Sequence, residues 1–108
     1  MTPSTQAAAF TVSPDVIDFA AAQRVAPYLY AVLQMTQRLF PDAQRIAATV
    51  ENDPDIPGDQ HLTIEVDVAG MDAKRYADAK FRWGRELFHL CPAPLVCVFR
   101  CALHIVEA

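Results

Sequence analysis

The chain has 108 residues and a mass of 11.9 kDa, which is enough for one domain with a modest hydrophobic core. Hydrophobic residues make up 53% of the sequence and charged residues 20%, a composition that excludes a disordered chain. No stretch approaches the ~20 uncharged apolar residues that cross a bilayer, so we expect no membrane association. The formal net charge of -4 disfavours sequence-independent binding of nucleic acid, because phosphates repel an acidic protein.

The cysteine content and the N-terminus bear on the compartment. The three cysteines, Cys91, Cys97 and Cys101, cannot form a complete set of intramolecular disulfides, which favours free thiols in a reducing cytoplasm. Residues 1–12 lack the basic region and the long apolar run of a signal peptide, and we interpret them as a flexible N-terminal arm before a single domain over 13–108. Arginine outnumbers lysine seven to two, which is typical of a GC-rich bacterial genome.

Prolines mark the starts of two N-terminal helices. Ser13 and Pro14 have the chemistry of the N-cap and first helical positions, and they predict a helix that runs to about Val25. Pro27 disfavours a helical conformation in the residue before it and predicts a second helix over about 27–40, with one apolar face. A single long helix kinked at Pro27 would show the same pattern.

Two segments with a period of two residues give the strongest local signal in the sequence. Apolar and polar residues alternate over 45–51 and again over 61–68. The residues between them, 52–60, include two prolines and a glycine and predict a loop. The sequence therefore predicts a β-hairpin here.

The register of this hairpin follows from cross-strand complementarity. Pairing Val50 with Leu62 aligns the apolar residues of both strands on one face. On the other face the same register places Arg45 opposite Asp67 and two threonines opposite each other. A shift by two residues in either direction breaks these pairs or places like charges together, so we predict the first register.

A third helix and a third strand follow. Gly70 ends the hairpin, and Asp72 can cap a helix over about 73–90, whose charged residues at intervals of four form a solvent-facing ladder. The apolar arc of this helix spans ~200°, about twice what one contact with a sheet uses. Over residues 95–106 every odd position is apolar, which predicts a strand, although a helix that starts at Pro94 also fits.

These elements predict an α+β fold with the order α-α-β-β-α-β. We expect a three-stranded, mostly antiparallel sheet with helices on one face. A right-handed crossover through the third helix would bring the third strand antiparallel beside the first.

Cysteine and histidine residues near the C-terminus are the candidate metal ligands. Cys91, Cys97, Cys101 and His104 carry the soft donor atoms that zinc accepts. In a strand, Cys97 and Cys101 would lie ~13 Å apart, too far for one ion, whereas a helix would bring them together. Free cysteine is usually a small core residue, so we predict that these side chains bind no metal ion. We also predict no cofactor and no catalytic residue.

Lys80 lies within the apolar arc of the third helix and is the candidate for a pocket. A desolvated lysine can act as a base or form a Schiff base, but its stem more often packs while the ammonium group reaches solvent. Gly84, beside it, predicts a close approach to a neighbouring backbone. The alternative function is therefore a small ligand- or metal-binding protein, or an enzyme, with its pocket near Lys80 or the Cys/His cluster.

Surplus apolar surface predicts an interaction role. If helices cover one face of the sheet, the other face exposes apolar residues that a small monomer rarely leaves in water. The predicted interface residues are Val96, Val98, Ala102, Val106 and Trp83. We therefore expect a small non-enzymatic bacterial interaction module, cytoplasmic, working as an adaptor, an antitoxin-like or a chaperone-like partner. Its partner would be a second copy or a larger protein, with neither nucleic acid nor membrane involved.

Overall fold

The computed structural model of the chain describes residues 10–106 and the side chains of residues 12–106. In chain order the elements are β1 (Phe10–Thr11), α1 (Pro14–Ala22), α2 (Ala26–Leu39), β2 (Arg45–Asn52), β3 (Gln60–Ala69), α3 (Ala73–Leu90), a 3-10 helix (Ala93–Val98) and β4 (Phe99–Val106). The α+β class and the α-α-β-β-α-β order of the longer elements are confirmed. The predicted arm over residues 1–12 lies mostly outside the described residues, and β1 within it is a short strand that the sequence did not indicate.

The sheet is mixed, with the strand order β1-β2-β3-β4. The long hairpin strands β2 and β3 are antiparallel, whereas β1 runs parallel to β2 and β4 runs parallel to β3. The expected placement of the last strand beside the first hairpin strand is therefore wrong, although β4 does run antiparallel to β2. The outer edge of β2 pairs with β1, so β4 pairs with the free edge of β3 instead. It runs parallel to β3 because α3 returns the chain to the starting end of that strand.

The predicted hairpin register is confirmed. Val50 pairs with Leu62, and Arg45 pairs with Asp67. The guanidinium Nη1 of Arg45 lies 3.7 Å from Oδ2 of Asp67 and 3.4 Å from Oε1 of Glu65. The charges that favour this register over its neighbours thus form ion pairs across the strands.

The helices form one layer and the sheet the other, with the core between them. Alternate residues of β2, β3 and β4 point toward the helices. The largest fully buried side chains are Val16, Val25, Leu29, Val32, Leu33, Met35, Thr36, Ile46, Leu62, Ile64 and Val66. No helix within residues 10–106 combines the length and the apolarity that a membrane span needs.

The C-terminal strand starts later than predicted. β4 begins at Phe99, and the residues before it form the 3-10 helix. The strand predicted over residues 95–106 is therefore present from Phe99 onward, and the alternative of one helix over the whole segment is wrong. Pro92 and Pro94 account for the helical turn, because the fixed φ of proline suits the start of a helix and proline donates no hydrogen bond to a sheet.

Candidate interaction surface

The candidate functional site is an exposed apolar stripe on α3. Ala77, Phe81, Gly84 and Phe88 follow one another at intervals of four, three and four residues, which places them on one face of the helix. Phe81 is 67% exposed and Phe88 is 63% exposed. Folding normally removes phenylalanine from water, so these four residues, called the α3 stripe below, form an unpartnered surface.

Gly84 makes a notch between the two phenylalanines of the α3 stripe. Within the described part of the chain, a Cβ atom at this position would meet no heavy atom within 4 Å apart from the helix's own adjoining backbone. The close approach to a neighbouring backbone that we expected at Gly84 is therefore not made by residues 10–106. Glycine costs a helix interior about 1 kcal/mol relative to alanine, and no close packing contact among the described residues offsets that cost at Gly84.

The α3 stripe points away from α2. Ala79 and Arg82 lie on the α2 side of the helix, where they line a groove together with Leu39 of α2. On a helical wheel these two residues lie roughly 130–170° from the middle of the stripe. Trp83, which is buried, lies between these two directions and faces the core. The stripe therefore faces sideways, away from α2; the 3-10 helix that follows α3 also packs against it.

The side to which the α3 stripe points is the β4 edge of the sheet. Burial raises the pKa of the Cys101 thiol, on β4, to about 12, because the thiolate is poorly solvated, and the positive charge of Lys80 opposes part of this rise. α3 packs against β4, and Lys80, which borders the stripe, lies on the sheet side of this helix. Lys80 itself is an exposed residue, and its ammonium Nζ lies 5.8 Å from the centroid of the Tyr76 ring.

A further apolar residue lies on the same side. Ile105 of β4 is 52% exposed and pairs with Val68, whose side chain belongs to the helix-covered face of the sheet. Of the six large apolar side chains described as exposed, three are therefore Phe81, Phe88 and Ile105. Half of these exposed apolar residues thus lie on α3 and β4.

β4 also leaves one backbone edge open. Its eight residues pair with β3, and β4 is the last strand of the sheet. Among residues 10–106, no backbone hydrogen bond from another segment reaches its outer side. The strand contains no proline or lysine, which commonly shield an edge strand, and its one arginine, Arg100, forms an ion pair with Asp59.

The face of the sheet that points away from the helices, called the open face below, is polar, in contrast to the apolar patch expected there. Glu65 accepts hydrogen bonds from Nη1 of Arg45 at 3.4 Å and from Oγ1 of Thr49 at 3.3 Å. Thr63 donates to Oε1 of Glu51 at 2.9 Å. The side chains of this face therefore satisfy one another, and the surplus apolar surface lies on α3 instead.

A charged cluster ties the hairpin loop to the open face. The Nη2 atom of Arg100 lies 3.3 Å from Oδ2 of Asp59. The buried Nδ1 atom of His61 lies 3.4 Å from the same oxygen, without forming a hydrogen bond. This cluster holds the loop against β3 and β4.

None of the five predicted interface residues belongs to the α3 stripe. Trp83 lies in the interior and is only 4% exposed, so it is corrected from a surface residue to a core residue. Val96 and Val98 lie in the 3-10 helix and pack against the core as partly buried residues. Ala102 and Val106 lie on the open face of β4, both half-buried.

The candidate metal ligands are spread over different surroundings. Cys101 and His104 lie on opposite faces of β4, Cys91 is buried at the end of α3, and Cys97 is exposed in the 3-10 helix. Burial raises the pKa of the Cys91 thiol, with a smaller contribution from Cys97. Within residues 10–106, no three or more cysteine, histidine or acidic side chains are grouped so that they could hold a metal ion.

Three shallow grooves lie side by side where the end of α2 meets α3, and all three include Leu39. The largest, about 250 Å³, has the charged lining residues Arg75, Asp78 and Arg82, all of them exposed to solvent. None of these grooves is lined by Lys80, near which a pocket was considered. They lack the desolvated, converging polar groups that typify an enzyme site.

The fold and the surface define a small two-layer α+β domain whose helical layer carries an unpartnered apolar stripe beside an open sheet edge. No family model matches the chain, and neither a curated protein nor a solved structure shows significant similarity to it. Its function is therefore inferred from the geometry of the described residues.

Proposed function

We propose that the protein is a small non-enzymatic interaction module that binds another protein surface through the α3 stripe. The observation that carries this proposal is the exposure of Phe81 and Phe88, 67% and 63%, on the same face of one helix. Burying a phenylalanine side chain contributes about 1.5–3 kcal/mol, so a partner that covers both gains several kcal/mol. Apolar patches that are kept exposed commonly mark interaction sites.

Charge around the α3 stripe supports a specific contact. Lys80 borders the stripe on its sheet side, and Arg85 borders it on its solvent side, with its guanidinium 5.9 Å from the centroid of the Phe81 ring. An apolar centre with a charged rim is the usual anatomy of a protein interface. An adaptor, an antitoxin-like protein and a chaperone-like partner would each use such a surface to cover another protein.

The cytoplasm of a bacterium is the proposed setting. All three cysteines are free, which suits a reducing compartment. The excess of arginine over lysine supports a bacterial source.

Binding of a small anionic ligand is the second candidate function, favoured by the groove that Arg75 and Arg82 line. Its volume of about 250 Å³ falls below the ~300 Å³ at which ligand pockets usually begin, and its arginines are solvated. The interaction role therefore has the stronger support.

Photo-crosslinking in the cells of origin tests the interaction role. Phe88 is replaced by p-benzoylphenylalanine, and the matched control carries the same group at Tyr30, an exposed aromatic residue of α2. We expect a discrete crosslinked product from position 88 that is absent from position 30. No product, or the same products from both positions, would contradict an interaction role for the α3 stripe.

A further inference from the structure

We infer that the α3 stripe binds a second copy of this chain, with the two α3 helices packed antiparallel, stripe against stripe. The two-fold axis that relates them crosses the contact at the height along α3 midway between residues 82 and 83. The inference rests on the proposed function and assigns a partner to the same surface. It is carried by the order of side-chain sizes along the stripe, by the charges beside it and by the open surroundings of the helix.

The α3 stripe is complementary in shape to its own reverse. From its N-terminal end it reads small, large, small, large: Ala77, Phe81, Gly84 and Phe88. When a second α3 runs antiparallel about that axis, Phe81 faces the glycine of the other copy and Phe88 faces its alanine. Every large side chain then meets a small one, which is how facing helices interdigitate without voids or clashes.

The notch at Gly84 has a role in this arrangement. A helix that presents glycine opposite an aromatic ring lets the two axes approach to within the usual 8–10 Å. Among the described residues, nothing outside the adjoining turns of the helix comes within 4 Å of a Cβ at this position, so this space can receive Phe81 of the second copy.

Charges on the solvent side of the helix favour the same alignment. The two-fold axis places Arg85 of one copy beside Asp78 of the other, about 3 Å apart along the helix direction. Within one chain Asp78 contacts Lys74, with 3.1 Å between Oδ2 and Nζ, and both side chains are exposed. A second cation can therefore approach this carboxylate from outside.

The surroundings of α3 leave room for a second copy. The stripe faces sideways, opposite α2, and the open edge of β4 lies on the same side. Ile105, 52% exposed, extends the apolar surface toward the sheet. An isologous contact of this kind closes on itself and forms a dimer instead of a fibre.

The size of the contact sets the expected affinity. The exposed parts of the two phenylalanines amount to roughly 250 Å² per copy, because a buried aromatic side chain covers about 150–250 Å². The two copies together therefore bury roughly 500 Å² of phenylalanine surface, which is below the ~1,200–2,000 Å² of stable specific interfaces. We therefore expect a reversible dimer with a Kd in the micromolar range, on the order of 1–100 μM.

Sedimentation velocity of the purified full-length chain over a range of concentrations tests the inference. The expected mass rises reversibly from 11.9 kDa toward twice that value. In the variant Gly84→Gln the added Cβ has room within the described chain and the side chain fills the notch, so the dimer should weaken at least 10-fold while the circular dichroism stays unchanged. The control is Ala22→Gln, an exposed substitution on α1, which should leave the Kd unchanged.

A charge exchange tests the antiparallel alignment itself. Arg85→Asp and Asp78→Arg should each weaken the dimer several-fold, and the two changes together should restore the Kd to within about 3-fold. A monomer at every concentration, a dimer that Gly84→Gln leaves intact, or a double variant no tighter than the single ones would overturn the inference. If the chain is monomeric but position 88 still crosslinks to a different protein, the proposed function stands and only the second copy is excluded as partner.

Discussion

The indole Nε1 of Trp83 on α3 donates a hydrogen bond of 2.8 Å to Oγ1 of Thr36 on α2, and both side chains are buried. The Thr36 hydroxyl in turn donates to the carbonyl oxygen of Val32 at 2.7 Å. Each polar atom in these two consecutive hydrogen bonds has a partner, so burying these atoms carries little cost in free energy. The contact sets how α3 lies against α2, and it thereby decides which part of the apolar arc of α3 remains exposed.

Removing the acceptor should destabilise the fold. Thr36→Val keeps the shape of the side chain but leaves the Trp83 indole N–H unpaired in the core, so we expect the free energy of unfolding to fall by about 1–3 kcal/mol. Thr36→Ser keeps the hydroxyl and should retain more of the stability. Urea denaturation followed by tryptophan fluorescence measures both, and equal losses in the two variants would show that the hydrogen bond contributes nothing.

The two faces of the hairpin should respond differently to truncation. Ile64 is fully buried on the helix-covered face, and Ile64→Ala should cost about 2–5 kcal/mol through lost burial and the cavity left behind. The side chain of Arg45 is 47% exposed on the open face, where its ion pairs are screened by water, so Arg45→Ala should cost less than about 1 kcal/mol. Urea denaturation compares the two, and a reversed order would mean that the faces are misassigned.

The buried thiol of Cys101 should make stability fall at alkaline pH. Its pKa is raised from the ordinary 9.0 to about 12 in the folded chain, so the unfolded chain loses this proton first as the pH rises. The stabilisation is fully present below pH 9 and is lost progressively toward pH 12. We expect the free energy of unfolding to fall between pH 8 and pH 10.5 by on the order of 1–2 kcal/mol more in the native chain than in Cys101→Ala. The free energy of unfolding of Cys97→Ala, which alters an exposed thiol, should fall with pH as it does in the native chain.

The C-terminal end of α1 offers a stabilising substitution. Arg24, just after α1, has a φ of 64°. The N–H of Arg24 donates to the carbonyl oxygen of Ala21, and the N–H of Val25 donates to that of Ala20, which is the Schellman pattern of a helix C-terminus. Glycine usually occupies this left-handed position because it has no Cβ. Arg24→Gly should therefore raise the free energy of unfolding by about 0.5–1 kcal/mol, seen as a higher Tm. Arg24→Ala keeps the Cβ and should bring no gain, so an equal gain would point to the lost charge.

Local patterns explain how much of the fold is predictable from sequence. The hairpin and its register follow from alternating residues and from pairs such as Arg45 and Asp67, because the period of a strand and the contacts across a hairpin depend on neighbours close in the chain. The bounds of the helices follow in the same way from prolines and capping residues. The placement of β4 parallel to β3 depends instead on the long crossover through α3, which no local pattern specifies.

The candidate surface lies between these two cases. The sequence by itself determined that α3 has an apolar arc too wide for one neighbour, since side-chain directions on a helix follow from its period alone. Only the tertiary structure decided that Trp83 lies inside the core while Phe81 and Phe88 face solvent. The physical reason is that all three belong to the same arc, and which half is buried depends on where α2 and the sheet stand around the helix.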